Sequence, residues 1–302
     1  MGIIFNPRNK EAMNMFYNKR EQLKAVFEDT VKQIQRNSFL RESTEKSVSL
    51  TKHFAANDYP SFESSSPKKG AVTVSRHSTF EAARKLYKKY PDKRIAVLNF
   101  ASATNPGGGV TRGSSTQEEA LCRCSTLYPT LNQKPMWEQF YNVNRTEKNV
   151  LHSDACIYSP DVIVFKSDAS IPQMLPTHEW FAVDVISCAA PNLRNVVSNA
   201  YNVESGDAVT VTSDELYQIH LKRARHIMTV AAANHADILI LGAFGCGAFA
   251  NDPHVVAKAM FDALKELGGC FDLVEFAIYC RSYETENYDA FMSIYLKEGF
   301  QK

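Results

Sequence analysis

The sequence predicts an α/β fold in which buried strands form a central sheet and helices cover both of its faces. Three observations carry this expectation. Continuous apolar runs of strand length recur along the chain, helix-start signals stand between them, and glycine-rich turns follow two of the runs. Strands that are apolar throughout, rather than alternating, belong to sheets covered on both sides.

The elements follow in order. Between residues 9 and 36, Met13, Phe16, Leu23, Val26, Phe27, Thr30 and Ile34 recur at helical spacing among charged residues, predicting one long amphipathic helix. The polar stretch Ser61–Gly70, with Pro67 and Gly70 near its end, reads as a connection, so residues 1–70 are expected as a helical extension and linker and 71–302 as the main domain. Ala71–Val74 is a short strand. Ser78 and Glu81 form a capping box that opens a helix through Leu86. Further strands are expected at Arg94–Phe100, Asp161–Phe165, Phe181–Ile186, Asp237–Leu241 and Leu273–Tyr279. Helices are expected from the Thr212/Glu215 capping box to about Ala233 and from Pro253 to Leu267. Residues 130–150 read as a helix–loop connection.

Composition narrows the function classes. Lysine and arginine total 34 against 33 aspartates and glutamates, a formal net charge of +1, so strong sequence-independent duplex nucleic-acid binding is not expected. No apolar run has membrane-spanning length, and the N-terminus lacks the charged leader and apolar core of a signal peptide, so no membrane association is expected. The seven cysteines are scattered, without a Cys-x-x-Cys pair, and no histidines have zinc spacing. They predict reduced thiols in the cytoplasm or a nucleus, and no metal.

The chemistry concentrates after the strand ending at Phe100. There the chain reads Asn105-Pro-Gly-Gly-Gly-Val110, and seven residues beyond Gly109 come Gln117-Glu-Glu119. Glycines let the backbone approach a ligand and adopt positive φ, and a strand, turn and helix start can present amides to an anion. Read structurally, Ser115 with Glu118 and Thr116 with Glu119 both fit a capping box, which alone explains two acidic residues in a first helical turn. That reading leaves the triple glycine at the carboxyl end of a buried strand, where α/β folds place ligands, unexplained. A second glycine loop, Gly242-Ala-Phe-Gly-Cys-Gly-Ala-Phe249, follows Asp237–Leu241. It lacks the dinucleotide and Walker fingerprints, yet two such loops suggest the two walls of a phosphate-binding cleft. Asp252, His254 and His178 are accounted for by an ordinary helix cap or a surface position.

The string Gly107-Gly-Gly109, seven residues, Gln117-Glu-Glu119 resembles the signature of the poly(ADP-ribose) glycohydrolases, which are macrodomain proteins. The stretch Val97–Pro106 resembles the microbial-type branch in particular, and Gly242–Phe249 resembles the family's diphosphate-binding loop. The resemblance runs from about residue 70 to the end. It implies a three-layer α/β/α macrodomain with a mixed central sheet, acting as a monomer without cofactor on ADP-ribose or poly(ADP-ribose), free or attached to protein. It implies that Glu119 is the general acid for ribose–ribose cleavage, that Glu118 holds hydroxyls of the leaving ribose and that Asn105 binds the ribose under attack. Gly107, Gly108, Gly109 and Val110 would line the turn beside Gln117. Gly245, Cys246, Gly247 and Ala248 would hold the diphosphate, with Phe244 or Phe249 offering an aromatic face.

A helix N-terminus stabilises a charged carboxylate, whereas a general acid must carry a proton. The Glu118 charge, the substrate's diphosphate and desolvation all favour the protonated form, so Glu119 is expected to become an effective acid once substrate is bound. Two other functions fit the same residues: hydrolysis of single ADP-ribose units from protein or nucleic acid, and non-hydrolytic ADP-ribose binding. The intact glutamate pair speaks against the last.

Overall fold

The protein is described here from a computed structural model covering residues 7–62, 70–197 and 206–300, with side chains from Asn18 onward. Most of the expected Ser61–Gly70 connection lies outside the described residues.

Seven strands form one mixed sheet: β1 (Lys52–Phe54), β2 (Ala71–Ser75), β3 (Ile95–Phe100), β4 (Cys156–Val164), β5 (Phe181–Cys188), β6 (Ile238–Leu241) and β7 (Leu273–Ala277), in spatial order β1-β4-β5-β3-β6-β7-β2. The pairs β1–β4 and β4–β5 are antiparallel, and β5–β3–β6–β7–β2 run parallel. The helices are α1 (Pro7–Arg36), α2 (Ser38–Leu50), α3 (Thr79–Lys89), α4 (Gln117–Cys124), α5 (Leu127–Leu131), α6 (Lys134–Met136), α7 (Asn142–Glu147), α8 (Ser213–Ala233), α9 (Pro253–Leu267) and α10 (Glu286–Lys297).

The pleat of β3 shows why the sheet is covered on both sides. Ala96 and Leu98 join one core with Ile227 and Met228 of α8 and Val256 and Met260 of α9. Ile95 and Val97 point the other way, into a core with Phe27 of α1, Phe80 of α3 and Leu121 of α4. Three layers result.

Most expected elements fall where the sequence puts them. The capping boxes at Ser78 and Thr212 both form, and α9 spans Pro253–Leu267 with Asp252 as its N-cap. Two differences have physical causes. The strand expected from Asp161 begins at Cys156, because a register shift between Ser159 and Val162 admits Pro160, which has no N–H for the ladder. Residues 130–150 form α5, α6, a π-helical turn at Trp137–Tyr141 and α7, and Phe140 and Tyr141 are buried.

The segment before residue 71 contributes directly to this architecture. β1 extends the sheet, and Leu23, Phe27, Ile34 and Leu40 are buried. Thr30 Oγ1 donates to the carbonyl of Arg123 in α4 at 2.6 Å, and Lys166 pairs with Asp29 at 2.7 Å. Among the described residues no helix is long and apolar enough to cross a membrane.

Candidate active site

β3 carries the chain into the centre of the sheet's carboxyl edge, between β5 and β6, and the glycine turn begins there. Gly107 and Gly108 adopt φ of 65° and 57°, the left-handed region open to glycine. Their amides are not offered to a ligand. The Gly107 N–H bonds the Glu118 carboxylate, Gly108 donates to the Asn105 carbonyl at 2.9 Å, Gly109 donates to Glu119 Oε1 at 2.8 Å, and Val110 donates to the Gly107 carbonyl at 3.1 Å. The amides from Gly107 to Val110, expected to line the turn, are thus engaged within the chain itself. They form a cradle that holds the two glutamates.

The space inside that cradle is tight. A Cβ at Gly108 would stand 2.6 Å from Glu119 Oε1 and 3.1 Å from Glu118 Oε2. Glu119 also accepts the N–H and hydroxyl of Thr116, the N-cap of α4, so of the two possible capping pairs it is Thr116–Glu119 that forms. Glu118 turns instead toward β3, accepting from Ser102 N at 2.8 Å and Asn99 Nδ2 at 3.4 Å. Both carboxylates are buried, Glu118 at 2 % exposure and Glu119 at 6 %. Burial, reinforced by the charge of Glu119, pushes the Glu118 carboxyl well above the usual carboxylate range, against the opposing pull of the Ser102, Asn99 and Gly107 donors.

Gln117 acts as a strut. Its Oε1 accepts from Phe100 N at 2.9 Å and its Nε2 donates to Leu98 O at 2.7 Å and Thr79 Oγ1 at 3.1 Å, tying α4 to β3 and to the start of α3. Asn105 is half-buried, and its Oδ1 accepts from Arg145 at 2.8 Å.

The second loop behaves differently. Gly245 has a φ of 83°, and an added Cβ would meet Ala190 Cβ at 2.8 Å and Asn251 Nδ2 at 2.9 Å. Asn251, itself buried, donates through Nδ2 to the carbonyls of Pro191, Gly245 and Phe249 and accepts through Oδ1 from His220 Nε2 at 2.8 Å, so it fixes the loop from behind. Cys246 N–H is taken by the Ala243 carbonyl at 3.1 Å. Among the described residues the amides of Gly245, Gly247 and Ala248 have no such partner, and a Cβ on Gly247 would meet nothing within 4 Å. The loop therefore offers open backbone donors at Gly245, Gly247 and Ala248, and Cys246 drops out of the expected amide set. Phe244 is fully buried against Phe100 and His220, so the aromatic face expected of it is turned into the core. Phe249 is half-buried and lines the cleft, with the Arg194 guanidinium 5.5 Å from its ring centre.

A cleft of about 760 Å³ runs between these features. One wall carries Thr116 and Gln117, and the other carries Gly245, Gly247, Ala248 and Phe249. Two contributions escaped the sequence reading. Tyr279, just past β7 and 68 % exposed, lines the cleft, and so do Lys19 and Leu23 of α1. Tyr279 was hidden inside an apolar run read as strand to its end. All seven cysteines are free, and among the described residues no group of three or more His, Cys, Asp and Glu side chains could hold a metal ion.

Comparison with known proteins identifies the family and the fold. The family described as microbial-type PARG, catalytic domain, matches residues 19–167, a span that starts within α1 rather than at residue 70. The crystal structure of poly(ADP-ribose) glycohydrolase from Thermomonospora curvata bound to the inhibitor ADP-HPD is similar at 30 % identity, covering 91 % of this chain and 99 % of that one, with a TM-score of 0.75. The enzyme from Deinococcus radiodurans in complex with ADP-ribose is similar at 32 % identity, covering 84 % and 97 %, with a TM-score of 0.69. A search of curated proteins finds no match. These matches make the three-layer α/β/α chain a glycoside hydrolase. Within that class, the chain belongs to the microbial-type poly(ADP-ribose) glycohydrolase family.

Proposed function

We propose that this chain hydrolyses ribose–ribose O-glycosidic bonds of poly(ADP-ribose) to release ADP-ribose, with Glu119 as general acid and then general base. One observation carries the reading. Two buried glutamates sit on a glycine cradle beside a cleft whose opposite wall offers open amides at Gly245, Gly247 and Ala248. Those amides suit a diphosphate. With the diphosphate held there, the ribose beyond it reaches the glutamate wall.

Glu119 donates its proton to the leaving ribose oxygen as the C1–O bond breaks. Water then adds to the oxocarbenium-like ribose and returns a proton to the same carboxylate. Glu118, whose carboxyl burial pushes well above the usual range, hydrogen-bonds a ribose hydroxyl and supplies no second catalytic carboxylate of the usual glycosidase kind. Asn105, braced by Arg145, binds hydroxyls of the ribose under attack. Tyr279 offers the exposed ring on which the adenine stacks, and Phe249 flanks the diphosphate. Residues 7–62 and 70 onward work as one catalytic unit, since Lys19 and Leu23 help to form the cleft. Free thiols throughout suit a reducing compartment, cytoplasmic or nuclear.

The test is Glu119→Gln. Its turnover of polymer should fall by about 10³-fold or more, on the scale of losing a general acid, while ADP-ribose binding measured by calorimetry stays within a few-fold. Near-native turnover would reject the assignment. Wild-type protein that binds ADP-ribose but releases none from polymer would point to a non-hydrolytic binder. Release from singly modified protein alone would point to a mono-ADP-ribosyl hydrolase.

A further inference from the structure

The cleft does not end at α3. Glu81, Asp168 and Ala169 line it on one side and, on their other side, line a second cavity of about 360 Å³ between α3 and the segment Val164–Ala169. Four cations line this cavity: Arg84, Lys85, Lys88 and Lys166. Two are committed. Arg84 pairs with Glu179, and buried Lys166 pairs with Asp29 and donates to the Val26 carbonyl. The other two, Lys85 and Lys88, stand exposed on one face of α3; Lys85 touches only the His77 ring, and Lys88 makes no ion pair among the described residues. The two carboxylates at the shared wall are already engaged. Glu81 caps α3 through Ser78 N, and Asp168 is buried and accepts from Phe80 N.

The long helix α1 links the same two spaces. Lys19 and Leu23 line the cleft, while Val26 and Asp29 hold Lys166 at the back of the second cavity, about 10 Å further along the helix at 1.5 Å per residue. An anionic chain that leaves the cleft past Glu81 and Asp168 therefore meets a positively charged cavity.

We propose that this cavity is a second binding subsite, taking the diphosphate of a neighbouring ADP-ribose unit of the same polymer through Lys85 and Lys88. The inference rests on the polymer reading above. Every unit of the polymer carries a diphosphate, and the amides at Gly245, Gly247 and Ala248 accommodate one of them. A second basic cavity opening from the cleft suits the next. It gives the enzyme a preference for substrates of two or more units, without a role in the chemistry at Glu119. A basic subsite also makes affinity for the polymer depend on salt.

The test compares wild type, Lys85→Glu/Lys88→Glu and the charge-preserving Lys85→Arg/Lys88→Arg on defined-length poly(ADP-ribose), with calorimetric binding of free ADP-ribose as the single-unit readout. The glutamate variant should lose about tenfold in kcat/KM on polymer at low ionic strength, the loss shrinking as salt is added. The arginine variant should match wild type, and ADP-ribose binding should be unchanged in all three. Unaltered polymer turnover in the glutamate variant, an equal loss in ADP-ribose binding, or an equal loss in the arginine variant would each overturn the subsite. If wild type itself fails to release ADP-ribose from polymer, the functional reading fails instead, and the two failures are separable.

Discussion

Gly109 donates its amide hydrogen to Glu119 Oε1 at 2.8 Å, across ten residues of chain and from the turn to the helix it precedes. This bond fixes what the glycines are for. Gly108 brings backbone against the two carboxylates closer than a side chain would permit, while a Cβ at Gly107 would meet Tyr128 and one at Gly109 would meet Ser114.

Gly108→Ala tests that role directly. The new Cβ would stand 2.6 Å from Glu119 Oε1, at a φ of 57° that alanine adopts only with strain. A misplacement of the acid on the order of 1 Å is expected to lower kcat by about 10²-fold. ADP-ribose binding should fall far less, because the Gly245–Ala248 loop is untouched. Steady-state kinetics with calorimetry would show the split; a loss confined to KM would contradict the cradle.

Glu118 makes stability depend on pH. Burial raises its folded-state pKa, so the folded protein retains a proton that the unfolded chain gives up near 4.5. Below that value both states are protonated and the group is neutral to stability; as pH rises above it, folding is progressively opposed. Glu118→Gln should therefore raise Tm at pH 7.5 by about 2–4 °C for each ~1 kcal/mol relieved, with the gain vanishing near pH 4.5. Melting curves across pH 4.5–8 would check it, and a Tm difference independent of pH would contradict it.

The two loop glycines should separate fold from binding. Gly245→Ala places a methyl against Ala190 and Asn251 at positive φ and should destabilise by about 1–3 kcal/mol. A Cβ at Gly247 meets nothing within 4 Å and the position is exposed, so Gly247→Leu should melt close to wild type. The leucine should nonetheless weaken ADP-ribose binding at least about tenfold by occupying the space in front of the open amides, since an unmade hydrogen bond to a charged group is worth ~1.5–3 kcal/mol. Thermal melts and calorimetry on both variants read the two effects independently.

Removing residues 1–70 is expected to abolish cooperative folding. The deletion takes β1 from the sheet edge and uncovers the surfaces that bury Leu23, Phe27, Ile34 and Leu40, each worth about 1.5–3 kcal/mol. A sharp thermal transition within a few degrees of the intact chain would show that the segment is dispensable.

The inner strands were legible because Ile95–Phe100 and Ile238–Leu241 are apolar at nearly every position, as both-sided burial requires. The helix starts at Ser78, Thr212 and Pro253 were legible because capping is local chemistry. α2 was not. Within Ser38–Leu50 the buried positions are Leu40, Thr44 and Ser47, so a polar stripe packs where periodicity looks for an apolar one. β1 is three residues whose strand pairing comes from β4 alone, and in α10 just Ala290 and Phe291 are buried. In the site, Glu118 and Glu119 were singled out through the resemblance of the Gly107–Glu119 string to a family signature. The direction of the glycine amides was beyond it, because whether Gly109 faces a ligand or a carboxylate depends on how α4 docks, which Gln117 decides through Leu98, Phe100 and Thr79.

Glu119 is the N3 carboxylate that reaches back to Thr116 at the start of α4, and with the acid role proposed for it this double duty constrains how the chain could drift in evolution. A descendant that gave up the proposed acid by replacing Glu119 with alanine would lose the N3 half of the Thr116 capping box as well. Glutamine keeps an acceptor for the Thr116 amide while removing the transferable proton. The route from enzyme to silent ADP-ribose binder therefore passes through glutamine at this position, or through a compensating cap elsewhere on α4.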